Sequence, residues 1–141
     1  MVGDESYVVR IPQAIYTEMV EHVVEDYPNE ACGIVASKDG QVVKHYPTVN
    51  AAEHPDDFSI IDSDNLLRIT LEIDDDDGEP IYYHSHPKSE AYPSSRDIDW
   101  AKRSGYPYII FSYRYYPEPP YSRVFLIDSE GTVTEGKVEI I

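Results

Sequence analysis

The chain is poor in several residue types, and each shortage excludes something. A single cysteine, Cys32, in 141 residues leaves no internal disulfide and no cysteine-rich zinc knuckle. Eleven Lys and Arg stand against 27 Asp and Glu, a net charge of −16, which argues against nucleic acid and anionic membranes as partners. No apolar run approaches the ~20 residues of a membrane span. The first residues, Met-Val-Gly-Asp-Glu, have neither the basic start nor the apolar stretch of a secretion signal, so the cytoplasm is the expected location. The length suits one domain over residues 1–141 with a core of its own. The acidic excess reads as a solvated surface, an adaptation to high salt, or a face for a basic protein partner, and charge alone does not choose among them.

Against these shortages stands one dense stretch, Tyr83 to Trp100, YHSHPKSEAYPSSRDIDW. Pro80-Ile-Tyr-Tyr before it is β-branched and aromatic and reads as a strand running into the histidines. Alternate residues of a strand share a face, so His84 and His86 point the same way. Pro87 ends the strand, Ser94 or Ser95 opens a helix, Asp97 falls in its first turn, and Gly105 lies just past its end. A carboxylate there can reach back to the strand end as a third ligand. Two histidines and an aspartate leave a fourth position open for water, the pattern of a catalytic rather than a closed structural zinc site. Taken singly, H-x-H is common and a Ser followed by Asp is merely a good helix start. The weight lies in their meeting at one strand-to-helix junction.

The remainder reads as elements around that junction. Ser6–Ile11 is a first strand. Pro12 then opens a helix to about Tyr27, whose stripe of Ile15, Met19, Val23 and Tyr27 belongs to the core. His22 falls on its polar side and is expected in solvent. Residues 30–36 form a buried strand that turns at Asp39-Gly40 into Gln41–Tyr46, and residues 47–59 read as loop. Glu30 heads an apolar strand, where a carboxylate is out of place on packing grounds and is either exposed or a general base beside a metal. Cys32 reads as a small buried hydrophobe, with Gly33 marking close packing. His45 and His54 lack motif spacing and are expected on the surface. Residues 61–73 carry a helical pattern capped by Asp62 or Ser63, followed by four acids that suit a solvated loop. Strands are expected at 106–114, 121–128 and 131–141. The expected class is α/β, with a single mixed, mostly antiparallel sheet flanked by helices. Thirteen tyrosines exceed what such a core needs, and some are expected to line a peptide-binding surface.

The central stretch resembles the motif of the JAMM (MPN-plus) metalloproteases: an upstream Glu, H-[ST]-H-P, seven residues from the second His to Ser, then x-x-D. His84, Ser85, His86, Pro87, Ser94 and Asp97 meet it, and Glu30-Ala-Cys-Gly-Ile is similar to the family's upstream Glu segment. The resemblance covers nearly the whole chain. It implies the cytidine-deaminase-like sheet of MPN domains, Zn2+ held by His84, His86 and Asp97, Glu30 as general base, and Ser94 as hydrogen-bond donor to the oxyanion. Within the family the chain looks most like the bacterial branch acting on ubiquitin-like sulfur-carrier proteins with a Gly-Gly C-terminus, which implies release of cysteine. The short stretch between the helix at 61 and the zinc strand has no room for the lid insertions of eukaryotic deubiquitinases. Two rival readings remain. One is a non-catalytic MPN scaffold, which usually lacks the complete ligand set. The other is a different zinc hydrolase. A nucleobase deaminase needs P-C-x-x-C and is excluded by the single cysteine. A cell-wall peptidase would normally carry export signals.

Overall fold

A computed structural model describes residues 7–141, so Ser6 of the expected first strand lies outside the described residues. The elements are β1 (Val8–Ile11), α1 (Gln13–Asp26), β2 (Cys32–Lys38), β3 (Gln41–Thr48), α2 (Ser63–Asp75), β4 (Glu79–His86), α3 (Ser95–Ser104), β5 (Tyr108–Ser112), β6 (Tyr121–Ile127), β7 (Val133–Glu135) and β8 (Lys137–Ile140). The eight strands form one mixed sheet in the order β7-β6-β5-β4-β2-β3-β1-β8. The pairs β2–β3, β2–β4, β5–β6 and β6–β7 are antiparallel, and β1–β3, β1–β8 and β4–β5 are parallel. This is the α/β class with the expected mixed sheet. Among the described residues no helix is long and apolar enough to cross a membrane.

Three differences from the sequence expectation have physical causes. Strand β3 runs on through Pro47 to Thr48. Pro47 pairs with Gly33 of β2, while β1 meets β3 only at Gln41, so the flank that lacks an N–H has no strand beside it. The expected last strand divides at Gly136. Its first half pairs with β6 and its second half with β1, at opposite ends of the sheet order, and the Gly136 N–H donates to the Val124 carbonyl at 3.0 Å. This curls the sheet toward closure. Helix α2 continues into Asp75, and Lys38 sits 3.2 Å from Asp76, partly offsetting acids placed against the helix dipole.

The sheet has an apolar layer on each face. Met19 and Val23 of α1 pack with Val9, Val35, Ile81, Tyr83 and Phe111 on one side. Ile69 and Ile73 of α2 pack with Ile34, Ala36 and Tyr82 on the other. Alternation along β4 therefore sends Tyr82, His84 and His86 to the α2 face and Ile81, Tyr83 and Ser85 to the α1 face. Strands β4 and β5 are parallel and joined by α3, so β4 ends where α3 starts. The mouth beyond such strand ends is where open α/β sheets place their sites.

Candidate metal centre

His84 and His86 end β4, and α3 brings Asp97 to them. Ser94 is the N-cap: its hydroxyl accepts the Asp97 N–H at 3.1 Å, and Asp97 Oδ2 accepts the Ser94 N–H at 2.9 Å. This capping box fixes the aspartate before any ligand arrives. The αL conformation of Gly105, φ 74°, closes the helix. His84 Nε2, His86 Nε2 and Asp97 Oδ2 lie 3.1–3.2 Å from one another. The edge of a tetrahedron with metal–ligand bonds of ~2.0 Å is about 3.3 Å, so the triangle fits one face of a tetrahedral site. His86 Nδ1 donates to the Glu90 carbonyl at 2.9 Å, which turns its Nε2 lone pair inward. Two ring nitrogens and a carboxylate oxygen converging this closely repel unless a cation lies among them. These three residues can hold a metal ion, and they are the group of that kind found among the described residues. His84 Nδ1 is buried without a partner, so the ring's orientation rests on the centre itself and on the edge-to-face contact with Tyr108, 5.0 Å between ring centres.

The electrostatics follow from this crowding. Burial alone would raise the Asp97 carboxyl, but the two imidazoles and the Ser94 N–H hold it well below the usual carboxylate range. Burial lowers His86, and the Asp97 and Glu90 contacts outweigh it and raise the ring. Glu30 is buried, and desolvation raises its carboxyl. The nearby imidazoles and a Ser59 hydrogen bond pull the other way without cancelling the shift. The ladder pairs Cys32 with His84 and continues through the Ser85 N–H to Ala31 carbonyl bond at 3.0 Å, which sets Glu30 opposite His86. Glu30, His86 and Ser94 line one cleft of about 620 Å³ with His54, Asp57 and Lys88.

The structure thus brings together all five residues singled out in the sequence: His84, His86, Asp97, Glu30 and Ser94. Two other expectations need correcting. His45 is buried, its side chain 5% exposed, because Nδ1 donates to Glu18 at 3.0 Å and Nε2 accepts the Tyr83 hydroxyl at 2.6 Å. His22 is also largely covered and donates through Nδ1 to the same hydroxyl at 2.6 Å. Among the described residues no tyrosine lines the acidic cleft, whereas Tyr82 and Tyr108 line the apolar cavity that Asp97 shares. Tyr82 and Tyr108 are packed against Trp100 and His84, and Tyr27 stacks on Tyr116 while Tyr113 meets both edge-on. His54 is exposed as expected, yet it stands on the cleft wall.

Asn50, which the sequence shows only as a loop residue, holds the site's backbone. Its amide donates to the carbonyls of Glu30 at 3.0 Å and Phe58 at 2.8 Å, and accepts from Ala52 and Ile60. It ties the loop after β3 to the backbone of Glu30. An Asn opening a loop is the available signal, since Asn bonds backbone locally, but its long-range partner is not. Cys32 shares the His84 face; burial pushes its thiol up to about 11, and its sulfur lies 3.4 Å from the Thr48 hydroxyl.

Residues 12–127 match the family of prokaryotic homologues of the JAB domain. The chain belongs to that family. As a JAB-domain protein it is 35% identical over 138 residues, 96% of the chain and 92% of the relative, to the CysO-cysteine peptidase of Mycobacterium tuberculosis. It is 31% identical over 102 residues to the desampylase of Haloferax volcanii, covering 70% of the chain and 73% of the relative. A solved structure from Desulfitobacterium hafniense superposes with a TM-score of 0.80 at 28% identity, covering 94% of this chain and 92% of that one. The fold is also that of the structure described as a metalloprotease-like zinc site in the proteasome and signalosome, with a TM-score of 0.57 at 15% identity over 95% of this chain and 98% of the other.

Proposed function

We propose that this JAB-domain protein is a zinc peptidase that hydrolyses the bond after the C-terminal Gly-Gly of a ubiquitin-like sulfur-carrier protein and releases cysteine. The observation that carries the reading is the convergence of His84, His86 and Asp97 donor atoms within 3.2 Å, with Glu30 and Ser94 on the adjoining cleft. The names of the relatives, CysO-cysteine peptidase and desampylase, support the substrate class.

Zinc held by these three side chains supplies a Lewis acid and brings a water pKa down to near ~7. Glu30, raised by burial, accepts the proton of the attacking water and returns it to the leaving amine. The hydroxyl of Ser94 accepts from the Asp97 N–H, which leaves its own O–H free to donate to the developing oxyanion. The carbon–nitrogen bond breaks as that amine takes its proton, and the carrier keeps a new carboxylate. Glycines in the carrier tail bring its backbone close, with no Cβ in the way. Asp57 and Glu30 make the cleft acidic and suit a carrier with a basic face.

The test is mass spectrometry on a carrier–cysteine adduct, with metal analysis of the same preparations. Wild type binds one zinc per chain and releases cysteine. Glu30→Gln keeps its zinc and slows by ~100-fold or more, the usual scale for a general base. His84→Ala loses zinc. A zinc-loaded wild type that leaves the adduct intact overturns the substrate, and a Glu30→Gln enzyme near the wild-type rate removes Glu30 from the chemistry.

A further inference from the structure

Two hollows meet the metal centre, one at His86 and one at Asp97. Glu30, His86 and Ser94 face the acidic cleft, whereas Asp97 lines a second, mostly apolar cavity of about 100 Å³ with Phe58, Ile60, Tyr108, Trp100 and Arg96. It opens to solvent past the exposed Arg96 and Trp100 and can take a small group such as the leaving amino acid.

Arg96 is the unusual group there. The chain has six arginines and a net charge of −16. Arg10, Arg68, Arg103, Arg114 and Arg123 each meet a carboxylate within 4.0 Å. Arg96 meets none among the described residues. Its guanidinium instead lies over the Phe58 ring, 4.3 Å from the centroid. It sits in the first turn of α3, where a cation opposes the helix dipole. The neighbouring carboxylate, Asp97, is already taken by the imidazoles and the Ser94 N–H. An exposed planar fork that lies over an aromatic ring, on the cavity Asp97 also lines, suits a ligand carboxylate, which it can bind through two parallel hydrogen bonds.

We propose that Arg96 reads the free α-carboxylate of the amino acid that leaves, so that the enzyme takes carrier–amino acid adducts in preference to carriers joined to a lysine side chain. The inference rests on the peptidase reading and narrows its substrate class. A lysine-linked conjugate offers no carboxylate at this distance, because its nitrogen sits at the end of a side chain. Lys88 is the other cation near the centre. It shares its cleft with Glu30, Asp56 and Asp57, whereas the cavity of Arg96 holds no acid except Asp97.

Zinc-loaded full-length protein is assayed on a ubiquitin-like carrier ending in Gly-Gly-Cys, on the same carrier ending in cysteinamide, and on the carrier joined to a lysine side chain. Wild type should favour the free acid over the amide by about 10- to 100-fold in kcat/KM, the range for losing a charge-assisted pair. Arg96→Met keeps the stem over Phe58 and should bring that ratio to about one, and Arg96→Lys should restore part of it. The second readout needs no turnover. Trp100 is the chain's one tryptophan and lines the cavity. On the Glu30→Gln protein, Gly-Gly-Ser should shift its fluorescence at concentrations about tenfold lower than Gly-Gly-Ser-amide, and Arg96→Met should abolish the difference. The proposal is overturned by a wild-type ratio near one, by an unaltered ratio in zinc-bound Arg96→Met, by loss of the ratio in Lys88→Met instead, or by equal turnover of the lysine-linked carrier. If no carrier is cleaved, the peptidase reading fails on its own, and the fluorescence comparison still decides whether Arg96 binds a carboxylate.

Discussion

Ser94 serves two purposes at once, and they can be separated by measurement. Its oxygen caps α3 and so fixes Asp97, and its O–H is the oxyanion donor of the proposed chemistry. Ser94→Ala should cost about 1 kcal/mol in urea unfolding, the usual price of a lost cap, and slow turnover by ~100-fold or more. Ser94→Thr should recover most of both. A Ser94→Ala enzyme that loses stability but keeps its rate restricts the residue to capping. The metal ligands and Ser94 were legible in the sequence because their geometry is local: a period of two puts His84 and His86 on one face, and a Ser three residues before Asp makes a capping box, whereas Glu30 was assigned only through the family resemblance. The polar cluster on the other face was not legible. Tyr83 meets His45 and His22 across 38 and 61 residues of chain, and no spacing rule reports such a meeting. One phenol O–H and its lone pairs satisfy two rings, so each histidine is inside the fold without being a ligand. Burial lowers His45 despite Glu18. A histidine whose folded pKa lies below its unfolded value costs nothing at neutral pH and destabilises as pH falls through ~6.5 toward the folded value. The wild type should therefore lose more stability than His45→Gln between pH 7 and pH 5. Parallel losses in thermal melts of the two proteins would show that His45 does not contribute.

Among the elements, the sequence pattern located all three helices and the strands from β1 to β6: the helices show the period of one buried face, and the central β2, β4 and β5, buried on both faces, show as short apolar runs. It missed the division of the last strand. Nothing in Thr134-Glu-Gly-Lys-Val says that its halves pair with opposite ends of the sheet order, since pairing is chosen by the strands that arrive beside it. Gly136 makes the transition feasible. A Cβ there would lie 2.6 Å from Tyr7 Cδ2 and 2.9 Å from the Tyr7 carbonyl oxygen. Gly136→Ala should destabilise by about 1–3 kcal/mol, as overpacking against backbone does. The strain falls on Tyr7 and the β1–β8 pair, which β2 and β3 separate from β4, so zinc content should be unchanged. A wild-type melting curve for Gly136→Ala would mean that Tyr7 moves aside freely. The loop held by Asn50 shows the same limit of local reading. Asn50 was visible as a loop residue, but its bond to the Glu30 carbonyl, 20 residues away, was not.

At the scale of the whole molecule, 27 acids against 11 bases impose a self-repulsion that folding concentrates. Ion pairs relieve only part of it, since most of them are exposed and weak, as with Lys44–Glu72 and Arg123–Glu135. The Debye length falls from ~10 Å at 0.1 M salt to ~3 Å at 1 M, so added KCl screens repulsion between neighbouring acids. The melting temperature should rise by about 3–6 °C over that range, the equivalent of some 1–2 kcal/mol for a chain of this size. Screening is nearly complete by ~1 M, so a continued rise at higher salt would belong to preferential exclusion of the salt and not to charge. The same screening acts oppositely on recognition. If Asp56, Asp57 and the surrounding acids draw in a basic carrier, KM for the carrier adduct must rise with KCl while kcat, which the proposed chemistry assigns to zinc, Glu30 and Ser94, holds steady. Stability and affinity should therefore move in opposite directions along one salt titration. A KM indifferent to salt, alongside a rising melting temperature, would assign the acidic surface to solvation alone and leave the carrier to be recognised by its tail and its carboxylate.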